Sequence, residues 1–357
     1  MNIVPFFYNF SAAEWIILGV YLLFFTIQLL FYLLLFRKPY KHVASNQEKE
    51  DRDVIPASDF PGISIILTAK NEAENLKNNL PHILNQDYPT FQVVVVNNGS
   101  TDETADVLNE LSQIYKNLYH TYIPEESEVV NSKKLALTLG IKAATYDFLV
   151  FTEADTKPLS SKWVYQYAKE FKNGKEVVLG ACQLELKKSF YQKLIHFDNL
   201  FFGVEYLSMA LSSKPYMGMG RNMGYKKELF FKNKGFSSIL NIEYGEDNLF
   251  INKVATKENT SVILSSDSMV ESNVVNRLST WRTIKAKHLI TRRFLKRNKT
   301  RLMDMEIFSR YGFYLFFAIL LGFGILQSSY VLIGISVLLF LMRYLTQMIV
   351  LNKNSRI

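Results

Sequence analysis

The sequence predicts an α/β domain with a mixed, mainly parallel sheet flanked by helices, carried by three transmembrane helices, one before the domain and two after it. Three observations lead there. Long apolar tracts cluster at the two ends of the chain, in a composition that is 48% hydrophobic and rich in Phe and Tyr. Between them, short apolar runs alternate with amphipathic stretches, the pattern of a parallel sheet covered on both faces. Each of those runs is followed by polar, often acidic residues.

Residues 15–36 run through Ile, Leu, Val, Tyr and Phe with only Thr26 and Gln28 clearly polar, about the length that crosses a hydrocarbon core of roughly 30 Å. No basic region precedes this run and it is too long for a signal-peptide core, so a spanning helix is expected. The charged stretch 46–59, followed by Pro61 and Gly62, reads as a linker. Residues 63–67 read as the first strand, 72–85 as a helix, 91–96 as a second strand, 132–144 as a helix and 148–152 as a further strand. A second apolar tract covers 311–326, pauses at Gln327-Ser328-Ser329 and resumes over 330–351, which fits an antiparallel hairpin. Arg343 lies inside its second arm and is expected to snorkel to the surface rather than face the hairpin interior. The expected domains are thus 1–40 anchor, 41–62 linker, 63–300 catalytic domain and 301–357 hairpin.

The formal charge of +8 concentrates at Arg37, Lys38 and Lys41, after the first apolar run, and over 282–301, before the last ones. Basic residues beside apolar runs mark the inner face of a membrane, so the central domain and the carboxyl terminus are expected on the cytoplasmic side of a cell (inner) membrane. No nucleic-acid-binding module accompanies the charge, and nucleic acid is not an expected partner. The single cysteine, Cys182, excludes an intramolecular disulfide and a zinc site built from several cysteines.

Ligands of open parallel sheets bind outside the carboxyl ends of the strands. The residues there are Thr68-Ala69-Lys70-Asn71-Glu72, Asn97-Asn98-Gly99-Ser100-Thr101-Asp102 and Glu153-Ala154-Asp155. The first two also read as helix caps. The third places two carboxylates one residue apart, a pair that calls for a cation between them and suits Mg or Mn carrying a diphosphate.

The run ISIILTAKNEAENLKNNLPHILNQDYPTFQVVVVNNGSTDETADVL, followed by SKKLALTLGIKAA, FTEADTKP, GMGRNMGYKKELF and IEYGEDNLFINKVA, resembles family 2 glycosyltransferases over roughly residues 60–295. That resemblance implies a GT-A-like Rossmann-type sheet. It implies that Thr68, Ala69, Glu72, Asn97, Asn98, Asp102, Lys133 and Glu153 bind a nucleotide sugar, UDP- or GDP-linked, and that Asp155 holds Mg or Mn. It makes Asp247 the general base, with Glu246 beside it as a second catalytic carboxylate. Gly220, Arg221 and Asn222 fall on the acceptor side; Lys287, His288 and Arg293 are grouped with them, either to contact phosphate or as part of an amphipathic interfacial helix that binds anionic lipid. The expected reaction is inverting transfer of a single sugar to a lipid or lipid-linked acceptor.

Three departures from the family pattern stand out. Asn97-Asn98 replaces an acidic pair, although an amide still offers an acceptor oxygen. Glu153 replaces the first Asp of the metal motif. The QxxRW-like motif is reduced to Ile290-Thr291-Arg292-Arg293-Phe294, which speaks against processive synthesis. A processive polysaccharide synthase and a catalytically silent, membrane-anchored binding protein remain the alternatives. The stretch 184–213, with Phe190, Leu194, Phe197, Phe201 and Phe202, reads as a helix whose apolar stripe faces either the core or a membrane surface.

Overall fold

The computed structural model describes residues 10–50, 61–124, 132–185, 189–273, 275 and 277–357. Residues 51–59 of the expected linker, and 186–188 of the expected aromatic helix, lie outside the described residues. The chain divides into two compact units: the described residues up to Tyr40 together with Thr300–Arg356, and the residues from Lys41 to Lys299.

The first helix, α1 (Ala12–Leu30), starts in a capping box in which Ser11 and Glu14 satisfy each other's free groups. It passes through a π-helical turn, Phe31–Phe36, into α2 (Lys38–Glu50), so helix continues five residues into the stretch expected as linker.

The second unit is built on a seven-stranded sheet in the order β3-β2-β1-β4-β8-β6-β9. Its strands are β1 (Ile63–Ala69), β2 (Phe91–Asn98), β3 (Leu118–Ile123), β4 (Phe148–Phe151), β6 (Val177–Gly180), β8 (Met223–Lys226) and β9 (Thr260–Ile263). β3, β2, β1 and β4 are mutually parallel, and β8 runs antiparallel to both its neighbours. Six of the seven residues of β1 are buried, as expected where helices cover both faces. A three-stranded sheet, β5 (Thr156–Pro158), β10 (Val270–Ser272) and β7 (Cys182–Leu184), flanks the carboxyl end of β4. The connecting helices are α3 (Ala73–Leu84), α4 (Thr104–Ile114), α5 (Ser132–Ala143), α6 (Trp163–Lys172), α7 (Phe190–Leu211), α8 (Lys227–Lys232), α9 (Asn248–Val254) and α10 (Leu278–Arg292). The main core joins β1, β2 and β4 to α3 and α6 through Ile65, Leu67, Leu76, Leu80, Val93, Val95, Val150, Trp163 and Tyr167.

β1 and β2 are each two residues longer than the expected strands. Parallel pairing continues to Ala69 opposite Asn97, so Thr68, Ala69, Asn97 and Asn98 end strands rather than begin loops. α7 divides its stripe: Phe190, Leu194 and Phe197 are exposed, whereas Ile195, Phe201, Val204, Leu207 and Met209 are buried.

The other unit adds α11 (Arg297–Leu326) and α12 (Tyr330–Asn354) to α1. Among the described residues three helical stretches, Ala12–Ser45, Arg297–Leu326 and Tyr330–Asn354, are long and apolar enough to cross a membrane. Arg343 does not snorkel. It is 2% exposed and faces inward, its Nη2 and Nε donating to Gln28 Oε1 at 2.8 and 3.2 Å and its Nη1 to the Tyr314 hydroxyl at 3.0 Å. Gln28 in turn donates to Ser309 Oγ and to the Glu306 carbonyl. The single amide in the first apolar run is thus the partner that makes a buried guanidinium affordable.

Candidate active site

Because β1, β2 and β4 are parallel, their carboxyl ends share one edge, and the polar turns that follow them interlock there. Asn71 Oδ1 accepts from Thr101 N (2.8 Å), and Asp102 Oδ2 accepts from Ala73 N (3.2 Å) while its Oδ1 accepts from Thr104 N (3.1 Å). Asn97 Oδ1 accepts from Ser100 N (3.1 Å). Asn71 and Asp102 therefore tie the two loops, Asp102 also holds the first N–H of α4, and Asn97 braces only its own turn. Glu72 stands beside them, its carboxyl pKa raised first by burial. Thr68 and Phe151 line a small recess together with Lys133, Glu153 and Asp247.

The Glu153-Ala154-Asp155 turn after β4 is clamped on both sides. Asn79 of α3 donates to the Ala154 carbonyl (2.9 Å) and Asn273 N to the Asp155 carbonyl (2.9 Å). Pairing of β5 with β10 sets Thr156 opposite Ser272, whose hydroxyl reaches Asp155 Oδ2 at 3.2 Å. The two carboxylates meet a cation supplied by the chain itself. Arg221 lies with Nε 2.9 Å from Glu153 Oε2 and Nη2 2.9 Å from Asp155 Oδ2. Arg221, expected on the acceptor side, thus bridges the metal-motif carboxylates. Lys133, at the start of α5, lies 2.8 Å from both Glu153 and Glu246. Burial opposes charge on Glu153, but Lys133 and Arg221 outweigh it and bring its pKa to about 2. Burial likewise opposes charge on Glu246, and Lys133 overcomes it, holding that carboxyl below its ordinary value.

The loop bearing Glu246 and Asp247 is turned by Gly245, at φ +96°, where a side chain would be strained and would drive into Leu249. Lys134, buried next to Lys133, donates to the Ile242 carbonyl and fixes the same loop. Asp247 Oδ1 accepts from Asn248 N (2.6 Å) at the start of α9, and Oδ2 accepts from Gly220 N (3.0 Å). Burial, reinforced by the neighbouring Glu246 charge, raises its pKa from 3.8 to about 6. An ionised carboxylate with a pKa near neutrality is suited to general-base work.

A cavity of about 510 Å³ opens beyond Asp247. Gly220, Arg221, Lys287 and His288 line it with Glu153 and Lys133; α7 contributes Asp198 and Phe202, and α10 contributes Trp281 and Lys285. Asp198 Oδ2 accepts from Trp281 Nε1 (3.0 Å) and lies 2.6 Å from Lys285 Nζ. Lys287 sits over the Tyr244 ring, 4.6 Å from its centroid. Burial, and then the Lys285 charge, push the His288 pKa down to about 4, so the imidazole is neutral at physiological pH.

Two residues expected on the acceptor side are elsewhere. Asn222 is fully buried and its amide is spent on the core: Oδ1 accepts from Trp163 Nε1 (2.9 Å) and the Tyr167 hydroxyl (2.7 Å), and Nδ2 donates to the Ala181 and Ser268 carbonyls. Arg293 is exposed, stacked on Phe294 and away from the cavity lining. Sequence reasoning missed Asp198, Trp281 and Lys134. Trp281 carried a signal, being one of only three tryptophans and set in a basic helix; Asp198 carried none.

The acidic, all-oxygen donor set around Asp155 fits Mg or Mn. Among the described residues no three or more His, Cys, Asp or Glu side chains form an all-protein cage.

Comparison with known proteins places this geometry. Residues 64–232 match the family model for glycosyl transferase family 2. The chain is 28% identical over 155 residues to a poly-β-1,6-N-acetyl-D-glucosamine synthase of Staphylococcus epidermidis, covering 43% of this chain and 32% of that protein. A second synthase of that name from the same species is 35% identical over 95 residues, or 27% of this chain and 22% of that protein. The chain thus spans about a third or less of those relatives. Among solved structures, the mannosyltransferase PcManGT from Pyrobaculum calidifontis, in complex with GDP-Man and Mn2+, superposes with a TM-score of 0.61 at 21% identity, over 96% of this chain and 97% of that one. The parallel sheet, its polar carboxyl edge and the family match agree: the chain carries a glycosyltransferase family 2 domain on a GT-A fold.

Proposed function

We propose that the protein is an inverting glycosyltransferase, held at the cytoplasmic face of a cell membrane, that moves one sugar from a UDP- or GDP-linked donor to a lipid or lipid-linked acceptor. The observation that carries the reading is Asp247, a carboxylate with a pKa near 6 set between the Lys133–Glu153–Arg221–Asp155 cluster and an open cavity. The ends of β1 and β2, with Thr68, Ala69, Glu72, Asn97, Asn98 and Asp102, border the nucleotide end, and Lys133 offers its ammonium to the diphosphate. Asp155, with Glu153 beside it, would hold Mg or Mn, which when bound stabilises the charge on the departing diphosphate.

The chain's own part is proton transfer and orientation. Asp247 takes the proton of an acceptor hydroxyl as that oxygen forms a bond to the anomeric carbon. The bond from that carbon to the diphosphate breaks, the nucleoside diphosphate leaves with its electron pair, and the configuration inverts. PcManGT, which shares the fold and holds GDP-Man and Mn2+, supports the donor class and the ion.

The test is a screen of the purified full chain against nucleotide sugars with Mg or Mn and a membrane lipid extract. Release of nucleoside diphosphate with one donor is expected, lost on chelation and restored by the ion. No release across the panel would leave the silent binding protein as the better reading. A second reading has a specific observation behind it, because the matched relatives are polymer synthases. Products extended by more than one sugar would favour it.

A further inference from the structure

We propose that the cavity beyond Asp247 is a subsite for a pyranose ring of the acceptor, seated against Trp281, and that Asp198 is the residue that positions this indole. The inference rests on the transfer reading above and specifies the acceptor it uses.

The acceptor group is one of two chemistries, a phosphate or a sugar hydroxyl, and the cavity discriminates between them. A phosphate oxygen is already an anion and has no proton to give up, so it needs no base; a hydroxyl does, and Asp247 stands at the cavity's inner end. A phosphate also needs cations free to pair with it. On the far wall Lys285 is taken by Asp198 at 2.6 Å; Lys287, over the Tyr244 ring, keeps its charge but shares the lining with Glu243. His288 is neutral there. What remains is an aromatic and amide-bearing wall, with Trp281, Phe202, Tyr244 and Asn199. A pyranose matches it, offering an apolar C–H face to a ring and hydroxyls to the polar atoms around it. A volume of about 510 Å³ falls in the roughly 300–1,000 Å³ range of ligand pockets and far exceeds a phosphate.

Asp198 decides where the indole lies. One carboxylate oxygen takes both the Trp281 N–H and the Lys285 ammonium, joining α10 to α7 across the cavity through a charge-assisted hydrogen bond. The QxxRW-like stretch at 290–294 offers this cavity no aromatic ring. Phe294, in the place of that motif's Trp, is 47% exposed and absent from the cavity lining.

The experiment uses the full chain in nanodiscs, the donor identified by the screen, and two sets of acceptor probes: hexyl β-glucoside, hexyl β-N-acetylglucosaminide and hexyl α-mannoside against citronellyl phosphate. Transfer to at least one hexyl glycoside is expected, in preference to the phosphate. Trp281→Ala should raise KM for that glycoside by about tenfold or more, the loss of one stacked ring, with kcat within about threefold. Trp281→Phe should recover most of the affinity. Asp198→Asn keeps an acceptor for the indole but loses the Lys285 pair, and should give an intermediate KM. All three variants should unfold within a few degrees of the parent; a KM change accompanied by a larger drop would mark a general loss of structure and overturn the positioning role. Preference for citronellyl phosphate, failure of every glycoside in a preparation that turns over donor with lipid extract, or an unchanged KM in Trp281→Ala would each overturn the subsite and leave the transferase standing. A protein that turns over no donor overturns both.

Discussion

Replacing Asp247 by Asn tests the reaction at the atom that matters. The substitution keeps the side-chain shape and removes the base, so kcat should fall by about 10²–10⁴-fold, the usual worth of a positioned general base. Stability should hardly move, because two effects oppose each other. The folded pKa of about 6 lies above the unfolded value near 3.8. Between those values the folded state binds more protons, so stability is lost as pH rises through the window, and an ionised Asp247 is a burden at neutral pH. Two pKa units correspond to about 3 kcal/mol at most, and partial exposure reduces this to about 1–2 kcal/mol. Asn relieves that burden. It also sets an NH2 against one of the two backbone N–H groups, of Gly220 or Asn248, that the carboxylate now accepts, at a cost of about 1–3 kcal/mol. The melting temperature should therefore shift by no more than a few degrees. In the parent protein, kcat/KM should fall on the acid side with an apparent pKa near 6, from about nine tenths of sites ionised at pH 7 to about one tenth at pH 5. Glu246→Gln removes the neighbouring charge and should move that limb to lower pH. Steady-state kinetics and thermal denaturation decide the matter. An Asp247→Asn variant with more than a tenth of the parental kcat, or an acid limb absent above pH 5, would refute the assigned base.

Three further outcomes follow from the packing. Lys133→Gln leaves Glu153 and Glu246 without their shared ammonium; donor KM should rise at least about tenfold, and the apparent pKa of any Glu246-linked step should rise with it. Asn222→Ala strands the Trp163 indole and the Tyr167 hydroxyl in the core, so thermal denaturation should show a loss of about 2–5 kcal/mol, with acceptor KM unchanged in the folded fraction. Arg343→Leu leaves the Gln28 carbonyl buried without its donor, and Gln28→Leu removes the acceptor of Nε and Nη2, leaving the guanidinium its bonds to Tyr314, Gln347 and Tyr32. Each should lower thermal stability in detergent, and the double variant should lose less than the sum of the two.

The strands that frame the site were legible because β-branched runs such as VVVV over 93–96 have few other uses, and the turns after them because Asn, Asp and Gly cap and bend chains for local reasons. Roles that depend on contacts distant in sequence were not. Arg221 stands 68 residues from Glu153 and 66 from Asp155, and only packing of β8 against β4 brings its guanidinium between them. The acidic pair's demand for a cation was sound reasoning with an incomplete answer, since a side chain of the same protein meets it. Asn222 illustrates the opposite limit. It lies in a recognisable motif, next to Arg221, yet points into the core, because Gly180 leaves the space its amide fills. Arg343 was misjudged because snorkelling is settled by the helix itself, whereas burial depends on a partner, Gln28, more than 300 residues away.

The two ends of the site differ in charge, and the difference bears on how the donor binds. At the inner end, among the described residues, the four carboxylates Glu153, Asp155, Glu246 and Asp247 outnumber the cations Lys133, Arg221 and the buried Lys134 beside them. A nucleoside diphosphate is itself an anion, so the inner end without further positive charge repels the leaving group that it must hold. A divalent ion at Asp155 reverses that balance without displacing either side chain's charge, which Lys133 or Arg221 alone cannot do. Binding of UDP or GDP to the full chain, followed by calorimetry, should therefore tighten at least about tenfold when Mg or Mn is present. It should weaken again in Asp155→Asn even with the ion. Equal affinity with and without the ion would mean that Lys133 and Arg221 suffice for the diphosphate and that the acidic pair serves only to hold Arg221 in place.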